Sequence, residues 1–138
     1  LKPGGQLVLT FPSLGTFDSL WQRVDHELLR RGHTAERERF HVYLAERPSA
    51  EDARRCLTAL EMTEVSVVEQ PLEVVSGDGP AFLYHPLLRG GFLDDVYECF
   101  EDQRQADDMM TAISMDLADF TPLIALRCVM SARKSAVG

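Results

Sequence analysis

This chain of 138 residues has few cysteines and no long hydrophobic run. Its three cysteines, Cys56, Cys99 and Cys128, lie far apart, so the sequence lacks the two-residue spacing that grips zinc or forms a redox pair. We expect them to be small buried hydrophobic residues in a reducing compartment. The apolar stretches fall far short of the roughly 20 residues that span a bilayer, and no basic-then-apolar leader opens the chain. These absences predict a cytoplasmic protein with no membrane partner.

Positive charge is also scarce. The chain has 14 lysine and arginine residues against 22 aspartate and glutamate residues, which gives a formal net charge of −8. This surplus of negative charge repels phosphate backbones, so we expect no nucleic-acid partner. A length of 138 residues with 45% hydrophobic side chains suffices for one domain with a core and is too short for two. We therefore predict a single domain over residues 1–138.

The opening residues predict a turn that runs into a buried strand. Pro3, Gly4 and Gly5 form the turn, and the apolar run after them is rich in β-forming residues and is closed by Pro12. A short run of this kind is typical of a central strand in an α/β sheet. Such a strand has neighbours on both sides, and we expect the same of this one.

Two helices are predicted after the first strand. Thr16 is placed to cap a helix that begins at Phe17 and ends near Gly32, and its apolar positions follow a 3.6-residue period. Residues 30–41 have no apolar period, which indicates a mobile or solvated connection. Ser49 is placed to cap a second helix. The buried stripe of that helix is predicted to be Ala53, Cys56, Leu57 and Leu60.

Two extended pieces follow this second helix. Residues 65–68 and 72–76 are either two strands or one strand bent at Pro71. After them the apolar cluster that ends at Gly90 and Gly91 predicts a short helix and a tight bend.

The rest of the chain predicts a long helix and a final strand. The helix should run from about Leu93 to Asp119, with the acidic stretch 98–108 facing water. Residues 123–131 are apolar on both faces of a strand, which places this strand inside a sheet. The polar tail from Ala132 onward is predicted to be disordered.

The phrase Leu1-Lys2-Pro3-Gly4-Gly5 with its strand closely resembles the fifth strand of class I S-adenosylmethionine-dependent methyltransferases. The helix opened by Pro48-Ser49 is similar to a later helix of that family, although Glu61-Met62 stands where Gly-Phe is usual. Residues 77–93 resemble the helical insertion of small-molecule, biotin-pathway-like methyltransferases of the type 11 kind. The whole chain fits the carboxyl-terminal half of this fold.

This resemblance implies an α/β fold with part of a Rossmann-like sheet, flanked by helices. About three to four strands are expected, of which the last is antiparallel and inserted between its neighbours. The intact parent would use S-adenosylmethionine to methylate a small-molecule substrate. The family's cofactor-binding segments lie in the front half, and no Gly-x-Gly-x-x-Gly occurs here, so we expect no cofactor bound to this chain and no activity from it alone.

The loop after the first strand is the part of the site that the resemblance assigns to this chain, because ligands of open α/β sheets lie beyond the carboxyl ends of the strands. The substrate-binding candidates there are Phe11, Ser13, Gly15, Thr16 and Phe17. Hydroxyl groups such as those of Ser13 and Thr16 could orient a substrate, but a turn followed by a helix cap uses the same residue types.

Histidine supplies the best acid–base candidates, because its side chain titrates near neutral pH. His41 with Tyr43, and His85, could take a proton from a substrate, although a surface role is the more frequent one for such residues. No two histidines are spaced four apart beside an acid, so we expect no metal site. Arg127 lies in an apolar strand, and we expect it to be buried and paired with an acid such as Asp116 or Asp119.

Two interpretations stay open for Trp21. This side chain could stack on a substrate, but its helical spacing favours a core position.

A second interpretation also stays open for the chain as a whole. It could be a non-catalytic association module that pairs with a separate cofactor-binding chain or with its own copy. Self-association would use the exposed first strand or the helices beside it.

Overall fold

The computed structural model describes residues 1–74, 78–120 and 122–136. In chain order the elements are β1 (Gln6–Pro12), α1 (Asp18–Arg30), α2 (Thr34–Ala45), α3 (Ala50–Ala59), β2 (Met62–Val74), α4 (Gly79–Leu83), a π-helical turn (Leu88–Phe92), α5 (Asp94–Glu98), α6 (Gln103–Met115), a 3₁₀ turn (Leu117–Phe120) and β3 (Leu123–Lys134). None of the helices in the described ranges is long and apolar enough to cross a membrane.

The chain divides into two compact units. The first unit holds the sheet and α3 and comprises Leu1–Thr16, Arg47–Leu72 and Ala125–Gly138. The second unit is helical and comprises Phe17–Glu46 and Glu73–Ile124. Each unit is therefore built from segments that are distant in sequence.

The sheet of the first unit has three strands in the order β1-β3-β2. β1 runs antiparallel to β3, with Gln6 opposite Arg133 and Pro12 opposite Arg127. β2 also runs antiparallel to β3. Gln70, late in β2, accepts from Arg127, early in β3, whereas Thr63 at the start of β2 donates to the carbonyl of Arg133 near the end of β3. The fold is thus mixed α/β with an antiparallel sheet and flanking helices. The last strand lies between the other two, which confirms the prediction that it lies inside a sheet.

The last strand is longer than the sequence predicts. β3 continues to Lys134 and Ala132 is buried within it, so the prediction of a disordered tail from Ala132 was wrong over those residues. Among the described residues β1 pairs only with β3 and lies at the edge of the sheet, which agrees with the expectation of an exposed first strand in this chain.

Ser49 caps α3 as predicted, and together with Asp52 it forms a capping box. The Ser49 hydroxyl accepts from the backbone N–H of Asp52 at 3.0 Å, and the Asp52 carboxylate accepts from the backbone N–H of Ser49 at 2.9 Å. Of the predicted buried stripe, Ala53 and Leu57 are buried. Cys56 and Leu60 are exposed, so these two assignments were wrong. The other two cysteines, Cys99 and Cys128, are buried as expected.

One strand, β2, occupies the region for which one strand or two remained open. It runs unbroken from Met62 to Val74 with Pro71 inside it. The predicted strand end at Ser76, and Gly77 at the start of the segment 77–93, lie outside the described residues.

α1 ends as predicted but begins differently. Gly32 has φ of 75°, and the N–H groups of Gly32 and His33 bond the carbonyls of Leu29 and Leu28, which closes the helix in a Schellman motif. At the start, Thr16 does not cap the helix. The Thr16 hydroxyl accepts from the N–H of Leu126 in β3 instead. Phe17 occupies the cap position, with its backbone in the left-handed region and no side-chain hydrogen bond to the helix.

Helix α2 replaces the mobile connection that was predicted over residues 30–41. Phe40 is the single buried residue of α2, so the sequence shows no apolar period there. The helix is held by long-range polar contacts instead: Arg37 pairs with Asp25, and Arg39 donates to the carbonyl of Cys99 at 2.7 Å.

The long helix predicted over residues 93–119 is broken into α5, α6 and a 3₁₀ turn. The break falls at residues 99–102, where Cys99 and Phe100 are buried and Asp102 caps α6 by accepting from the N–H of Arg104. The acidic side chains of the stretch 98–108 are exposed, as predicted. Gly90 and Gly91 lie in the π-helical turn rather than in a tight bend.

Candidate functional site

The loop after β1 is tied to β3 by its two hydroxyl side chains. Thr16 and Ser13 are both fully buried, and both hydroxyls lie 3.2 Å from the carbonyl oxygen of Leu126. The Thr16 hydroxyl also accepts from the N–H of Leu126 at 2.9 Å, and the Ser13 hydroxyl donates to Glu69 Oε2 at 2.5 Å. The hydroxyl groups that the sequence offered for substrate binding are therefore used to hold the loop against the sheet.

Gly15 is required by the same close approach. Its φ is 97°, and a Cβ at this position would lie 2.9 Å from Cδ1 of Leu126. Glycine alone adopts this backbone conformation readily and leaves room for the leucine. The loop is rigidly packed as a result, and β3 supplies most of its partners.

Phe11 lines a pocket of the first unit. This apolar pocket has a volume of about 310 Å³ and lies between α3 and the sheet. Its lining residues are Phe11, Pro48, Asp52, Ala53, Cys56 and Met130. The pocket is open, and the exposed thiol of Cys56 lies at its wall.

The second unit holds the acid–base candidate His41 and gives it a partner. His41 Nε2 lies 2.5 Å from Oδ1 of Asp25, so the α1 carboxylate orients the imidazole on α2. Arg37 grips the same carboxylate through Nε at 2.7 Å and Nη2 at 3.0 Å. The hydrogen bond from Arg37 is the main cause that lowers the pKa of Asp25, and the bond to His41 adds to it.

This arrangement has the parts of a proton-transfer pair. A carboxylate that holds one imidazole nitrogen leaves the other nitrogen for a substrate. Half of the His41 side chain is exposed, so a substrate can reach it, whereas the Asp25 side chain is largely covered. Sequence reasoning singled out His41 but missed Asp25 and Arg37, because the pairing joins residues that are 16 and 12 positions apart.

Tyr43 belongs to an aromatic cluster and not to the His41 pair. Its ring meets Trp21 edge-on with centroids 6.4 Å apart and lies 6.3 Å from Phe40. Residues two apart on a helix do not share a face, so His41 and Tyr43 point in different directions. Trp21 is 3% exposed, which confirms the core interpretation of this side chain.

The remaining candidates from the sequence, Phe17 and His85, make other contacts. Phe17 packs on Phe92 with ring centroids 5.1 Å apart, and its N–H donates to the carbonyl of Ile124 at 2.8 Å. His85 is exposed after α4, and its Nδ1 accepts from the N–H of Leu87. Phe11, Ser13, Gly15 and Thr16 belong to the first unit, and Phe17, His41, Tyr43 and His85 to the second.

Arg127 was expected to be buried and paired with an acid, and this expectation was wrong. The side chain is exposed and donates to Oε1 of Gln70 at 2.6 Å. Asp116, one of the acids proposed for it, pairs with Arg23 instead at 2.5 Å. Exposure explains how an arginine is tolerated in an otherwise apolar strand, since its charge stays in water.

A buried tyrosine lies near the π-helical turn, at a position that the apolar pattern of residues 93–119 predicts to face inward. Tyr97 is 3% exposed, and the guanidinium of Arg89 lies over its ring at 3.4 Å from the centroid. Burial raises the pKa of Tyr97, and the nearby Asp107 carboxylate raises it further, so the phenol stays protonated. The sequence did not indicate its neighbours Arg89 and Asp107, because they belong to other elements.

The described residues contain no group of three or more histidine, cysteine, aspartate or glutamate side chains arranged to hold a metal ion. No protein-family model matches the chain, and no curated protein matches it at a significant level.

Proposed function

We propose that this chain is the carboxyl-terminal, substrate-side part of an S-adenosylmethionine-dependent methyltransferase that acts on a small molecule. The observation that carries the proposal is the strand order β1-β3-β2, with the last strand antiparallel to the strand beside it. This is the arrangement that the resemblance of the Leu1–Gly5 phrase implies for the end of the methyltransferase sheet. Two independent features, a local sequence phrase and a strand order, thus favour the same family.

The way the chain leaves the sheet also supports a substrate-side role. The segments that follow β1 and β2 leave the sheet at the carboxyl ends of these strands, and the second segment re-enters it at the amino end of β3. Because β3 is antiparallel to the other two strands, these three strand ends lie at the same end of the sheet. In open α/β sheets the ligand lies beyond the carboxyl ends of the strands.

The residues present do not fit the cofactor itself. Gly15 is the one glycine between β1 and α1, and the space where its Cβ would lie is already filled by Leu126. The sequence has no Gly-x-Gly-x-x-Gly that could form a backbone cradle. We therefore assign no step of cofactor binding to this chain.

Within the proposal, His41 is the residue that removes a proton from the acceptor. Methyl transfer to a hydroxyl or amine nitrogen requires that the acceptor lose a proton, and a histidine side chain can act as the general base. Asp25 orients the imidazole, and Arg37 holds Asp25 in place. The half-exposed ring leaves a face for the acceptor.

The test uses the coding sequence upstream of Leu1 and the polypeptide that it specifies. The proposal requires in-frame strands and a glycine-rich loop there, and the longer polypeptide should transfer labelled methyl groups from S-adenosylmethionine to small molecules of a cell extract. His41→Gln should slow this transfer, while His85→Gln serves as the exposed-histidine control.

The isolated chain provides the opposite arm of this test. Titration calorimetry of residues 1–138 with S-adenosylmethionine should give no saturable heat. Saturable binding in the micromolar range would contradict the assignment of this chain to the substrate side. An upstream sequence without a glycine-rich loop would contradict the methyltransferase proposal itself.

One observation favours a second candidate function, a non-catalytic association module. β1 lies at the edge of the sheet with Val8 57% and Leu9 47% exposed. An exposed apolar edge strand is a template for pairing with another chain. This candidate predicts stable association without any methyl transfer by the longer polypeptide.

A further inference from the structure

The guanidinium group of Arg89 lies over the ring of Tyr97 in the second unit. Its central carbon is 3.4 Å from the ring centroid. Nη1 of the same group donates to Oδ1 of Asp94 at 2.8 Å. We call the covered face of the Tyr97 ring, together with the Asp94 carboxylate, the cation seat. An aromatic face attracts a cation, and a carboxylate adds a charged hydrogen bond, so these two groups together suit a guanidinium.

Arg89 is the side chain that separates the cation seat from water. The Arg89 side chain is 35% exposed and that of Asp94 is 49% exposed, whereas Tyr97 is 3% exposed. If the Arg89 side chain turned away, the ring face and the carboxylate would both be open to a ligand.

The surroundings leave room for Arg89 to turn away. Gly90 and Gly91 follow it in the π-helical turn, and apart from the adjacent backbone no described atom lies within 4 Å of a Cβ built at either glycine. The backbone N–H of Arg89 donates to the carbonyl of His85 at 2.9 Å, so the main chain is held at this point. Rotation of the side chain alone can therefore vacate the seat.

The hydroxyl group of Tyr97 has no partner while Arg89 occupies the seat. This hydroxyl is buried and forms no hydrogen bond with the described residues. Burial raises the pKa of Tyr97, and the nearby Asp107 carboxylate raises it further. A buried hydroxyl without a partner costs free energy, which a ligand that supplies the missing bond recovers. A guanidinium that is not tethered to the turn can shift over the ring and donate to the hydroxyl oxygen.

The charges around the seat also favour a cation. Asp94 lies in the seat and Asp107 lies near the Tyr97 hydroxyl, and among the described residues Arg89 is the one basic side chain that pairs with either of them. When Arg89 leaves, two carboxylates remain beside the ring without a basic partner. A ligand cation restores this balance of charge.

We propose that the cation seat binds the guanidinium group of a second molecule, which takes the place of Arg89. Arg89 is then a built-in competitor, because the seat is available only in the fraction of molecules whose arginine has turned away. Guanidinium is favoured over ammonium because the seat already holds this group, and because an ammonium is more strongly hydrated. One ring and one carboxylate give weak binding, so the seat is a subsite for the cationic end of a larger ligand. The proposal does not rest on methyltransferase function.

The first test empties the seat with Arg89→Ala and uses ethylguanidinium as the probe. Chemical shifts of the Tyr97 ring protons should show saturable binding in the millimolar range, about tenfold tighter than in the parent, because no side chain competes. Arg133→Ala is the matched control. It removes the arginine of another exposed pair, Arg133 with Glu64 at 2.8 Å, which has no aromatic ring stacked on it in the described residues. This control should bind the probe no more tightly than the parent.

Two further variants in the Arg89→Ala background identify the groups of the seat. Asp94→Asn removes the charge and should weaken probe binding at least about tenfold. Tyr97→Phe keeps the ring and removes the hydroxyl, and it should weaken binding about threefold. Ethylammonium has the same charge as the probe and should bind more weakly than ethylguanidinium. Circular dichroism verifies that each variant is folded.

The parent chain shows whether a ligand displaces Arg89. The Nε–H signal of Arg89 should move toward that of an exposed arginine as ethylguanidinium is added. N-acetylarginine amide is the second probe, and tighter binding than ethylguanidinium would assign the ligand to an arginine of a peptide, whereas equal binding would assign it to a small guanidine. An Arg89 signal that does not respond, or an Arg89→Ala variant that binds the probe no better than Arg133→Ala, would overturn the proposal. Equal binding of ethylammonium and ethylguanidinium would overturn the assignment of the ligand group.

Discussion

Trp21 and Phe40 pack against each other with ring centroids 6.0 Å apart and planes inclined by 57°. Trp21 lies on α1 and Phe40 on α2, so this contact joins the two helices that follow β1. Phe40 is fully buried, and it is the one residue of α2 that is. This contact therefore acts together with the polar contacts of Arg37 and Arg39 in attaching α2 to its unit.

Trp21→Ala should lower the free energy of unfolding by about 3–5 kcal/mol, because it leaves a large cavity against Phe40 and Tyr43. Urea denaturation followed by circular dichroism measures the change. Leu29→Ala on the same helix is the control, since Leu29 is 60% exposed, and it should change stability by less than about 0.5 kcal/mol. An equal loss in both variants would show that helix propensity, and not the aromatic contact, sets the effect.

Glu27 should make the stability of the chain depend on acid pH. It is buried at 2% exposure among Arg23, Arg30 and Arg31, and the hydrogen bond from Arg30 is the main cause that lowers its pKa from 4.5 to about 2. A folded-state pKa below the unfolded value adds stability that is complete above about pH 4.5. This stability is lost as the pH falls toward 2.

Glu27→Gln tests this directly. At pH 7 the free energy of unfolding of the variant should be about 1–3 kcal/mol lower than that of the parent, because the amide accepts weaker hydrogen bonds from the arginines. The difference should narrow steadily between pH 4.5 and 2, where the parent loses its own carboxylate. Glu46→Gln, at the exposed end of α2, is the control for the loss of a surface carboxylate. A constant difference between parent and Glu27→Gln across this range would refute the electrostatic explanation.

Glu61 occupies a backbone conformation that favours glycine. Its φ is 53°, directly after α3. A left-handed conformation costs a non-glycine residue about 1–2 kcal/mol. Glycine avoids this strain, but it loses more backbone entropy on folding, which offsets part of the stabilisation. Glu61→Gly should therefore raise the free energy of unfolding by up to about 1 kcal/mol in urea melts. Glu61→Ala keeps the Cβ and should show no gain, so an equal rise in both variants would point to the lost carboxylate instead.

Gly79 at the start of α4 is packed against α6. A Cβ at this position would lie 2.0 Å from the carbonyl oxygen of Ser114 and 3.1 Å from Cβ of Leu117. Gly79→Ala should force the helices apart and lower the melting temperature, with a cost of about 1–3 kcal/mol. Gly91→Ala is the matched control, because no atom lies within 4 Å of its Cβ position. Equal melting temperatures for the two variants would contradict the close contact.

The predicted elements that held are those whose signals are local. Ser49 caps α3 as expected through the N–H of Asp52, three residues away, and Gly32 ends α1 where the apolar period stops. α2 was missed because it buries one residue and is held by partners on α1 and at Cys99. The assignment to a methyltransferase part stays a prediction.

The candidate site divides in the same way. His41 was chosen for its chemistry, which any sequence displays, but its partner Asp25 is recognisable only when α1 and α2 are packed together. Ser13 and Thr16 were chosen for the same reason, and the tertiary structure commits both hydroxyls to the backbone of Leu126. Residue type indicated which side chains could bind a substrate or transfer a proton. The fold decided which of these side chains are already engaged in hydrogen bonds within the chain.

By itself the sequence determined the α/β class, the first turn and strand, the cap at Ser49 and the interior position of the last strand, since each depends on residues close together in the chain. Only the tertiary structure decided that α2 is a helix and that Arg127 reaches solvent. These outcomes depend on contacts between segments more than ten residues apart. Their free energies come from burial and pairing that no local pattern records.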